Sequence, residues 1–270
     1  MVNYYDMPYG FSMDMNITDE CNIRCEHCYM KKTSEFLTLN ESEAILRKIP
    51  STLSKLVISG GEPFLNYDVM YYTISIARHI FDPNLVIRIC TNGKYFYETD
   101  QSIVNELLKL DDYGVNELLI STDKYHFAAG IDSSRLQRIS EICLSMNKRI
   151  KVKFLDIGNG APIGEFKERK KEKIDKKECL NRNYNIFRPY LFSATDGDVF
   201  LCAFRGIPKI GNLKTDSWKT IAQNILGQYE FLSGNIISTI VKQEGTSDTI
   251  YELYQKYGEC YLCQKYYWNK

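Results

Sequence analysis

The sequence lacks the features that would direct a chain of 270 residues to nucleic acid or to a membrane. Its 34 basic and 34 acidic side chains balance to a formal net charge of +0, so no overall field attracts it to a polyanion or an anionic lipid surface. No apolar run approaches the roughly 18 residues that a membrane-spanning helix needs. Residues 1–6 contain neither the basic nor the apolar stretch of a secretory signal. These absences predict a cytoplasmic protein without nucleic-acid or membrane partners.

The composition is that of a folded chain long enough to bury a sizeable core. Hydrophobic residues make up 44% and charged residues 25% of the sequence, which excludes wholesale disorder and low-complexity scaffolds. Nine cysteines are the unusual feature. Because their number is odd and no export signal precedes them, a secreted disulfide framework is disfavoured. Clustered thiols in a reducing compartment favour metal or iron–sulfur ligation instead.

Up to about residue 160, short β-rich runs alternate with helix-length segments. This alternation predicts βα units and a parallel sheet, whose chemistry lies in the loops after the carboxyl ends of the strands. The fold class expected is therefore α/β. The five predicted strands are Phe11–Ile17, Lys55–Ser59, Leu85–Cys90, Glu117–Ser121 and Ile150–Ile157.

Helical patterns fill the intervals and continue beyond the sheet. Asn40 followed by Glu43 predicts a capping box for a first helix through Ile49. A run of mixed charges at 165–178 reads as a solvated linker, and Asp196-Gly197 predicts the turn of a β-hairpin. We expect two domains, at residues 1–164 and 165–270. The other predicted helices are Tyr67–Ile80, Ser102–Leu110, Ser133–Asn147, Ser217–Leu226 and Thr249–Tyr257.

Cys21, Cys25 and Cys28 have the spacing C-x3-C-x2-C directly after the first predicted strand. Three thiolates on one tight loop can hold three irons of a cubane 4Fe–4S cluster and leave the fourth iron open to a substrate. Electron-transfer clusters are normally closed by a fourth cysteine, so the set of three points to chemistry. A zinc knuckle is the structural alternative, but zinc usually pairs C-x2-C with a second such pair.

The cysteine spacing and a second motif resemble those of the radical S-adenosylmethionine (SAM) superfamily. Its signature is C-x3-C-x-(aromatic)-C after the first strand of a partial (βα)6 barrel, and His27 fills the aromatic position. Gly60, Gly61 and Glu62, followed by Pro63, are similar to the GGEP motif of that family at the end of the second strand. The resemblance implies a 4Fe–4S cluster on the three cysteines and SAM as the second cofactor.

The resemblance also implies a mechanism and a SAM pocket. SAM on the open iron would be cleaved reductively to methionine and a 5′-deoxyadenosyl radical, which would abstract hydrogen from a substrate. A flavodoxin- or ferredoxin-type protein would supply the electron. Glu62 can offer its carboxylate to the SAM ammonium. His126 could touch the substrate, although a lone histidine in a loop is more often an ordinary surface residue. Further pocket candidates, for which ordinary turn contacts are an equal alternative, are Thr91, Asn92, Ser121 and Asp123.

A second set of cysteines lies beyond the charged run and can surround a zinc ion or a cubane cluster. Gly197 precedes Cys202 in a G-x4-C arrangement, and Cys260 and Cys263 have the spacing C-x2-C. This spacing resembles that of the C-terminal extension called SPASM in its short "twitch" form. The resemblance implies one auxiliary 4Fe–4S cluster acting as an electron acceptor. A second auxiliary cluster is not expected, since the sequence stops soon after the last cysteine. Cys90 and Cys143 are expected to be buried thiols, with hydrogen-atom donation as the alternative. The second set comprises Cys179, Cys202, Cys260 and Cys263.

Three functions fit these observations. The first is a radical SAM enzyme that crosslinks, epimerises or oxidises a peptide or protein side chain. Because no peptide-recognition domain fits before Cys21, a separate recognition protein is expected as its partner. The second is a small-molecule dehydrogenase, similar to the aminocyclitol enzymes, that passes an electron to the auxiliary cluster. The third is a non-enzymatic zinc or iron–sulfur protein, in which the GGEP match would be accidental.

Overall fold

A single eight-stranded sheet organises the computed structural model, which describes residues 10–28, 30, 32–96, 99–146, 148–155, 189–201, 209–227 and 252. Its strand order is β5-β4-β3-β2-β1-β6-β7-β8. The strands are β1 (Phe11–Thr18), β2 (Leu53–Gly60), β3 (Val86–Thr91), β4 (Glu117–Ser121), β5 (Lys151–Leu155), β6 (Tyr190–Ser193), β7 (Asp198–Phe200) and β8 (Gly211–Asn212).

The sheet is mostly parallel, which confirms the predicted α/β fold. Strands β1 to β5 pair in parallel in the order of the sequence, and each lies within a few residues of its predicted position. The β6–β7 hairpin is also confirmed. The sequence did not predict that β6 pairs in parallel with β1, where Met13 lies opposite Leu191. The sheet therefore continues across the expected boundary between residues 164 and 165, and the division into two domains stays a prediction.

Six helices accompany the described strands, and five of them match predicted helices. The sequence did not predict α4, which has only five residues. The last predicted helix, Thr249–Tyr257, lies outside the described residues except for position 252. No helix in the described ranges has the length and apolar character to span a bilayer. The helices are α1 (Leu39–Lys48), α2 (Tyr67–Ile80), α3 (Asp100–Asp112), α4 (Lys124–Ala128), α5 (Ser133–Ser145) and α6 (Trp218–Gly227).

The capping box of α1 begins two residues earlier than predicted. Thr38 Oγ1 accepts a hydrogen bond from the Glu41 amide at 3.2 Å, and Glu41 Oε2 accepts one from the Thr38 amide at 2.9 Å. The prediction of Asn40 and Glu43 as the box was wrong, because both lie inside the helix. Two overlapping four-residue patterns fit the capping rule, and the structure uses the earlier one, directly after the fully buried Leu37.

The two faces of the sheet differ in polarity. From β1 to β5 each strand is added on the same side of the previous one, and right-handed crossovers then place α1, α2, α3 and α5 on one face. Met13, Ile58 and Ile89 on that face are fully buried in one cluster with apolar helix residues. Because side chains alternate along a strand, the intervening residues point to the opposite side. Besides the apolar Val57, Val86, Leu119 and Leu155, this polar face carries Ser12, Asp14, Asn16, Lys55, Ser59, Arg88, Cys90, Glu117, Ser121, Lys151 and Lys153.

Candidate active site

The residues predicted to bind a cluster and SAM meet at the carboxyl ends of β1, β2, β3 and β4. These four strands are neighbours in the sheet, so the loops that follow them lie side by side. The cysteine loop follows β1, the two glycines follow β2, and Asn92 and Asp123 follow β3 and β4. The predicted location of the site at this edge therefore agrees with the structure.

Gly60 and Gly61 allow the end of β2 to pack directly against the start of the cysteine loop. A Cβ atom on Gly60 would lie 2.2 Å from the Thr18 carbonyl oxygen, and one on Gly61 would lie 2.0 Å from the Glu20 carbonyl oxygen. The amide of Gly61 donates to Thr18 O at 2.7 Å. Both positions require glycine, because the atoms they approach belong to the backbone and cannot rotate away.

Glu62 is a fully buried carboxylate beside this loop. It accepts hydrogen bonds from Thr91 Oγ1 at 2.8 Å, the Asn92 amide at 2.8 Å and the Phe64 amide at 3.3 Å. Burial raises its pKa to about 7, against the opposing effect of these bonds. Among the described residues it forms no ion pair with lysine or arginine. A buried carboxylate without a positive partner is stabilised by a ligand that brings a positive charge.

The three cysteines of the loop lie close enough to affect one another. The Cys28 amide donates to Cys25 O at 3.1 Å, which closes a tight turn. Burial raises the pKa of the Cys25 thiol to about 12, with smaller contributions from Cys28 and Cys21 and an opposing effect of Lys32. Asn92 Nδ2 lies 3.7 Å from Cys21 Sγ. A metal centre would remove the thiol protons, since coordinated cysteines bind as thiolates.

His27 lies against the loop that follows β4. Its ring stacks on Tyr125 with centroids 4.7 Å apart, and its Nε2 is 3.7 Å from Asp123 Oδ2. Burial lowers the pKa of His27 to about 4, so the ring is neutral near pH 7. The other ring nitrogen, Nδ1, is buried and has no hydrogen-bond partner among the described residues.

Asp123 orients a second histidine. Its Oδ1 caps α4 by accepting from the amides of Tyr125 and His126 at 3.0 and 3.1 Å, and its Oδ2 lies 2.8 Å from His126 Nδ1. Burial alone would raise the pKa of the Asp123 carboxyl, but the His126 hydrogen bond and the two nearby rings lower it overall. Ligand atoms of Cys25, His27 and His126 all lie within 4.8 Å of one another.

Most of the predicted site residues therefore lie close together, and the structure adds contacts that the sequence did not predict. Ser121 ends β4 on the polar face, half-buried. His126 is not the ordinary surface residue that the sequence suggested, since its side chain is only 14% exposed and faces Asp123. Sequence analysis also missed Tyr125 and Asn22, whose Oδ1 accepts from Asn92 Nδ2 at 2.8 Å. The predicted auxiliary-cluster ligands lie outside the described residues, namely Cys179, Cys202, Cys260 and Cys263.

The donor set fits an iron–sulfur cluster with a cationic ligand beside it. Three thiols share one loop, which is the ligand number of a cubane with one open iron. The buried carboxylate of Glu62 has three neutral donors and no cationic partner among the described residues. An ammonium group placed beside it would supply the missing charge.

Comparison with protein families supports the same assignment. A family model described as the radical SAM superfamily matches residues 15–149, half of the 270-residue chain. The match begins within β1 and ends just before β5. It therefore covers the cysteine loop, the two glycines, Glu62 and the loop after β4.

Similar curated proteins include enzymes and a peptide biosynthesis protein. A GTP 3′,8-cyclase of Erythrobacter litoralis (strain HTCC2594) is 27% identical over 132 residues, which cover 47% of this chain and 36% of the cyclase. The putative peptide biosynthesis protein YydG of Bacillus subtilis (strain 168) is 23% identical over 270 residues, which cover 88% of this chain and 82% of YydG. The chain spans only 36% to 64% of the length of the first cyclases it matches.

Two similar solved structures contain SAM. BtrN in complex with AdoMet and 2-DOIA has a TM-score of 0.55 at 13% identity, covering 85% of this chain and 89% of BtrN. The protein anSMEcpe with bound AdoMet and Cp18Cys peptide also has a TM-score of 0.55, at 12% identity, covering 95% of this chain and 97% of that protein. At such low identity these similarities show a shared fold and nothing further.

Proposed function

The chain belongs to the radical SAM superfamily, and we propose that it modifies a side chain of a peptide or protein. The family implies a 4Fe–4S cluster and SAM, which together supply a 5′-deoxyadenosyl radical able to abstract hydrogen from a substrate. The observation that carries the radical chemistry is the placement of Glu62, a buried carboxylate without a cationic partner in the described ranges, beside a loop with three thiols; the peptide substrate rests on the similarity to YydG.

Each site residue has a proposed task in holding these groups. Cys21, Cys25 and Cys28 would bind the cluster, and Glu62 would accept a hydrogen bond from the SAM ammonium. Gly60 and Gly61, whose hydrogen atoms leave room for the loop backbone, would keep Glu62 beside the cysteine loop.

A second group of residues would hold the SAM pocket in shape. Thr91 and Asn92 would hold Glu62 in place through the hydrogen bonds they already donate. His27 would cover SAM from the side of β4 and exclude water, with Tyr125 stacked behind it and Asp123 orienting it. Ser121 would contact SAM from the end of β4.

The proposal of a peptide substrate is supported by the length over which this chain is similar to YydG. The alignment covers 88% of this chain and 82% of YydG, so it is not confined to the region that binds the shared cofactors. The name of that relative refers to peptide biosynthesis. Substrate radicals formed on a peptide would need an electron acceptor when the net reaction is an oxidation.

We propose Cys179, Cys202, Cys260 and Cys263 as ligands of an auxiliary 4Fe–4S cluster that accepts this electron. Their segment, within residues 165–270, would form the second domain. Four thiolates close a cubane completely, which suits electron transfer rather than substrate binding. Anaerobic reconstitution should then give about eight irons per chain from two cubanes, and Cys260→Ala should lose part of this iron.

The experiment that tests the proposed function separates SAM cleavage from substrate modification. Reconstituted protein is incubated anaerobically with SAM, dithionite and synthetic peptides encoded by short reading frames next to the gene, and 5′-deoxyadenosine and peptide masses are measured. Wild-type protein should form both products, Cys25→Ala neither, and Cys260→Ala only 5′-deoxyadenosine. Full turnover by Cys260→Ala would contradict the auxiliary-cluster role. Because epimerisation leaves the mass unchanged, the configuration of the peptide residues is also determined after hydrolysis, and cleavage of SAM without any change in peptide mass or configuration would contradict the peptide-modifying function.

A further inference from the structure

A group of charged side chains occupies the amino-terminal half of the polar face, away from the cysteine loop. Glu117 at the start of β4 is its centre. Arg88 Nε lies 2.7 Å and Lys55 Nζ 3.4 Å from Glu117 Oε2, while Lys153 contacts Glu117 Oε1. The four residues come from β2, β3, β4 and β5, and we call them the Glu117 cluster.

The Glu117 cluster contains more positive than negative charge. Burial opposes ionisation of Glu117, but Lys153 and Arg88 lower its pKa to about 2, so it carries one negative charge at neutral pH. Three cations surround it, and Lys151, which lies opposite Glu117 in the sheet register, adds a fourth on the same face. Asp14 is a further acid on this face that interacts electrostatically with Arg88, and burial raises its pKa to about 7. Even with Asp14 ionised, positive charge remains in excess.

Two of the cations are partly shielded from water and have donors to spare. Side-chain exposure is 23% for Lys55 and 20% for Arg88, so solvent screens their interactions only in part, whereas Lys153 is 45% exposed at the edge of the cluster. Arg88 uses Nε and Nη2 on Glu117, and its Nη1 has no hydrogen-bond partner within the described ranges. A guanidinium offers five N–H donors and binds carboxylates in a planar, bidentate manner.

A purely structural ion-pair network would need fewer cations. One carboxylate satisfies one arginine, and a second or third cation beside it adds repulsion unless another anion balances the charge. The three strands that supply these cations are also held together by their backbone ladders and the buried helix-side core. The surplus of positive charge is therefore better suited to an anionic ligand than to sheet stability.

The position of the cluster relates it to the proposed chemistry. Arg88 precedes Thr91 by three residues on β3, which corresponds to about 10 Å along a strand. An anion at Arg88 thus lies about 10 Å below the edge where SAM would bind. An extended peptide covers the same distance in about three residues.

We propose that Lys55, Arg88 and Lys153 bind an acidic side chain of the peptide substrate, about three residues from the residue that reacts. This inference rests on the proposed function, because it assumes a peptide on the polar face. The carboxylate of the peptide would accept hydrogen bonds from Arg88 and the two lysines. Glu117 would partly neutralise these cations when no peptide is bound. The cluster would then select acidic peptides and set the position of the modification.

The test uses reconstituted protein and two labelled decapeptides of glycine and serine, one containing two glutamates and the other two glutamines. Fluorescence anisotropy measures their dissociation constants. Wild-type protein should bind the glutamate peptide roughly five-fold more tightly than the glutamine peptide at low salt. Arg88→Met and Lys153→Met should remove this difference, whereas Lys148→Met, at an exposed lysine in the loop before β5, should preserve it.

Glu117→Gln separates a binding site from a structural network. If the cluster binds an anion, removal of the negative charge should tighten binding of the glutamate peptide. If the cations only stabilise the sheet around Glu117, the variant should lower the melting temperature and leave the peptide preference unchanged, which would overturn the proposal. Equal binding of both peptides by wild-type protein would overturn it as well. Formation of 5′-deoxyadenosine by wild-type protein is measured in parallel and reports separately on the proposed function.

Discussion

Gly61 shows how much a single residue contributes to the geometry of the site. A Cβ atom there would meet three backbone atoms of residues 19 and 20, the nearest at 2.0 Å. Gly61→Ala should therefore lower the free energy of unfolding by about 3 kcal/mol, because the cysteine loop must shift. Urea denaturation measures this loss. Gly227→Ala is the matched control, since no atom lies within 4 Å of its added methyl group, and equal stabilities of the two variants would contradict the structure.

Asp14 on β1 predicts a pH dependence of stability. Its pKa rises from 3.8 to about 7 because of burial, against the opposing effects of the Ser59 hydrogen bond and the Arg88 charge. Between these two values the folded state binds a proton that the unfolded state has released. Stability therefore decreases by a few kcal/mol as the pH rises through this window.

Urea denaturation of the cluster-free protein at pH 5 and pH 8 measures this decrease. Asp14→Asn should reduce the decrease and leave the part that comes from Glu62, whose pKa burial also raises to about 7, and Asp112→Asn, at an exposed position, should keep the whole decrease. An unchanged slope in Asp14→Asn would show that the carboxyl is not responsible.

Site residues that belong to motifs can be predicted from the sequence, whereas those that a short loop brings together cannot. Cys21 and Glu62 are predictable because their neighbours form recognisable patterns at strand ends. His126 carries no such signal, because a single histidine in a loop is most often a surface residue. Its pairing with Asp123 depends on α4, a five-residue helix that is too short to show a hydrophobic period.

At the level of secondary structure, substitutions at the start of α1 distinguish the observed capping residue, Thr38, from the predicted one, Asn40. Thr38→Ala should cost about 1 kcal/mol of unfolding free energy, because the Glu41 amide loses its acceptor. Asn40→Ala replaces an exposed residue inside the helix and should be neutral or slightly stabilising. Thermal denaturation of the two variants measures both effects. The reverse order would mean that the helix starts at Asn40 after all.

The positions of the strands along the sequence were easier to predict than the pairing of the strands within the sheet. Runs such as Lys55–Ser59 are apolar and bounded by turn residues, so their existence and direction follow from local pattern. The parallel pairing of β6 with β1 joins Met13 and Leu191, which are far apart in the sequence. No local signal encodes such a contact, and the hairpin of β6 and β7 was therefore assigned to a separate domain.

In the whole molecule, the two regions with a proposed function occupy different parts of the same sheet. The carboxyl edge of β1 to β4 carries three thiols and the buried Glu62, and the polar face below it carries the cationic Glu117 cluster. The first region was predicted from sequence motifs. The second depends on side chains that converge from four strands, which only the sheet register reveals.

Electron paramagnetic resonance of dithionite-reduced, reconstituted protein shows whether the cysteine loop holds a cluster with one iron open to SAM. We expect a cluster signal whose g values change when SAM is added, and the loss of that signal in Cys25→Ala. A spectrum that is identical with and without SAM, or one that is unchanged in Cys25→Ala, would contradict this expectation.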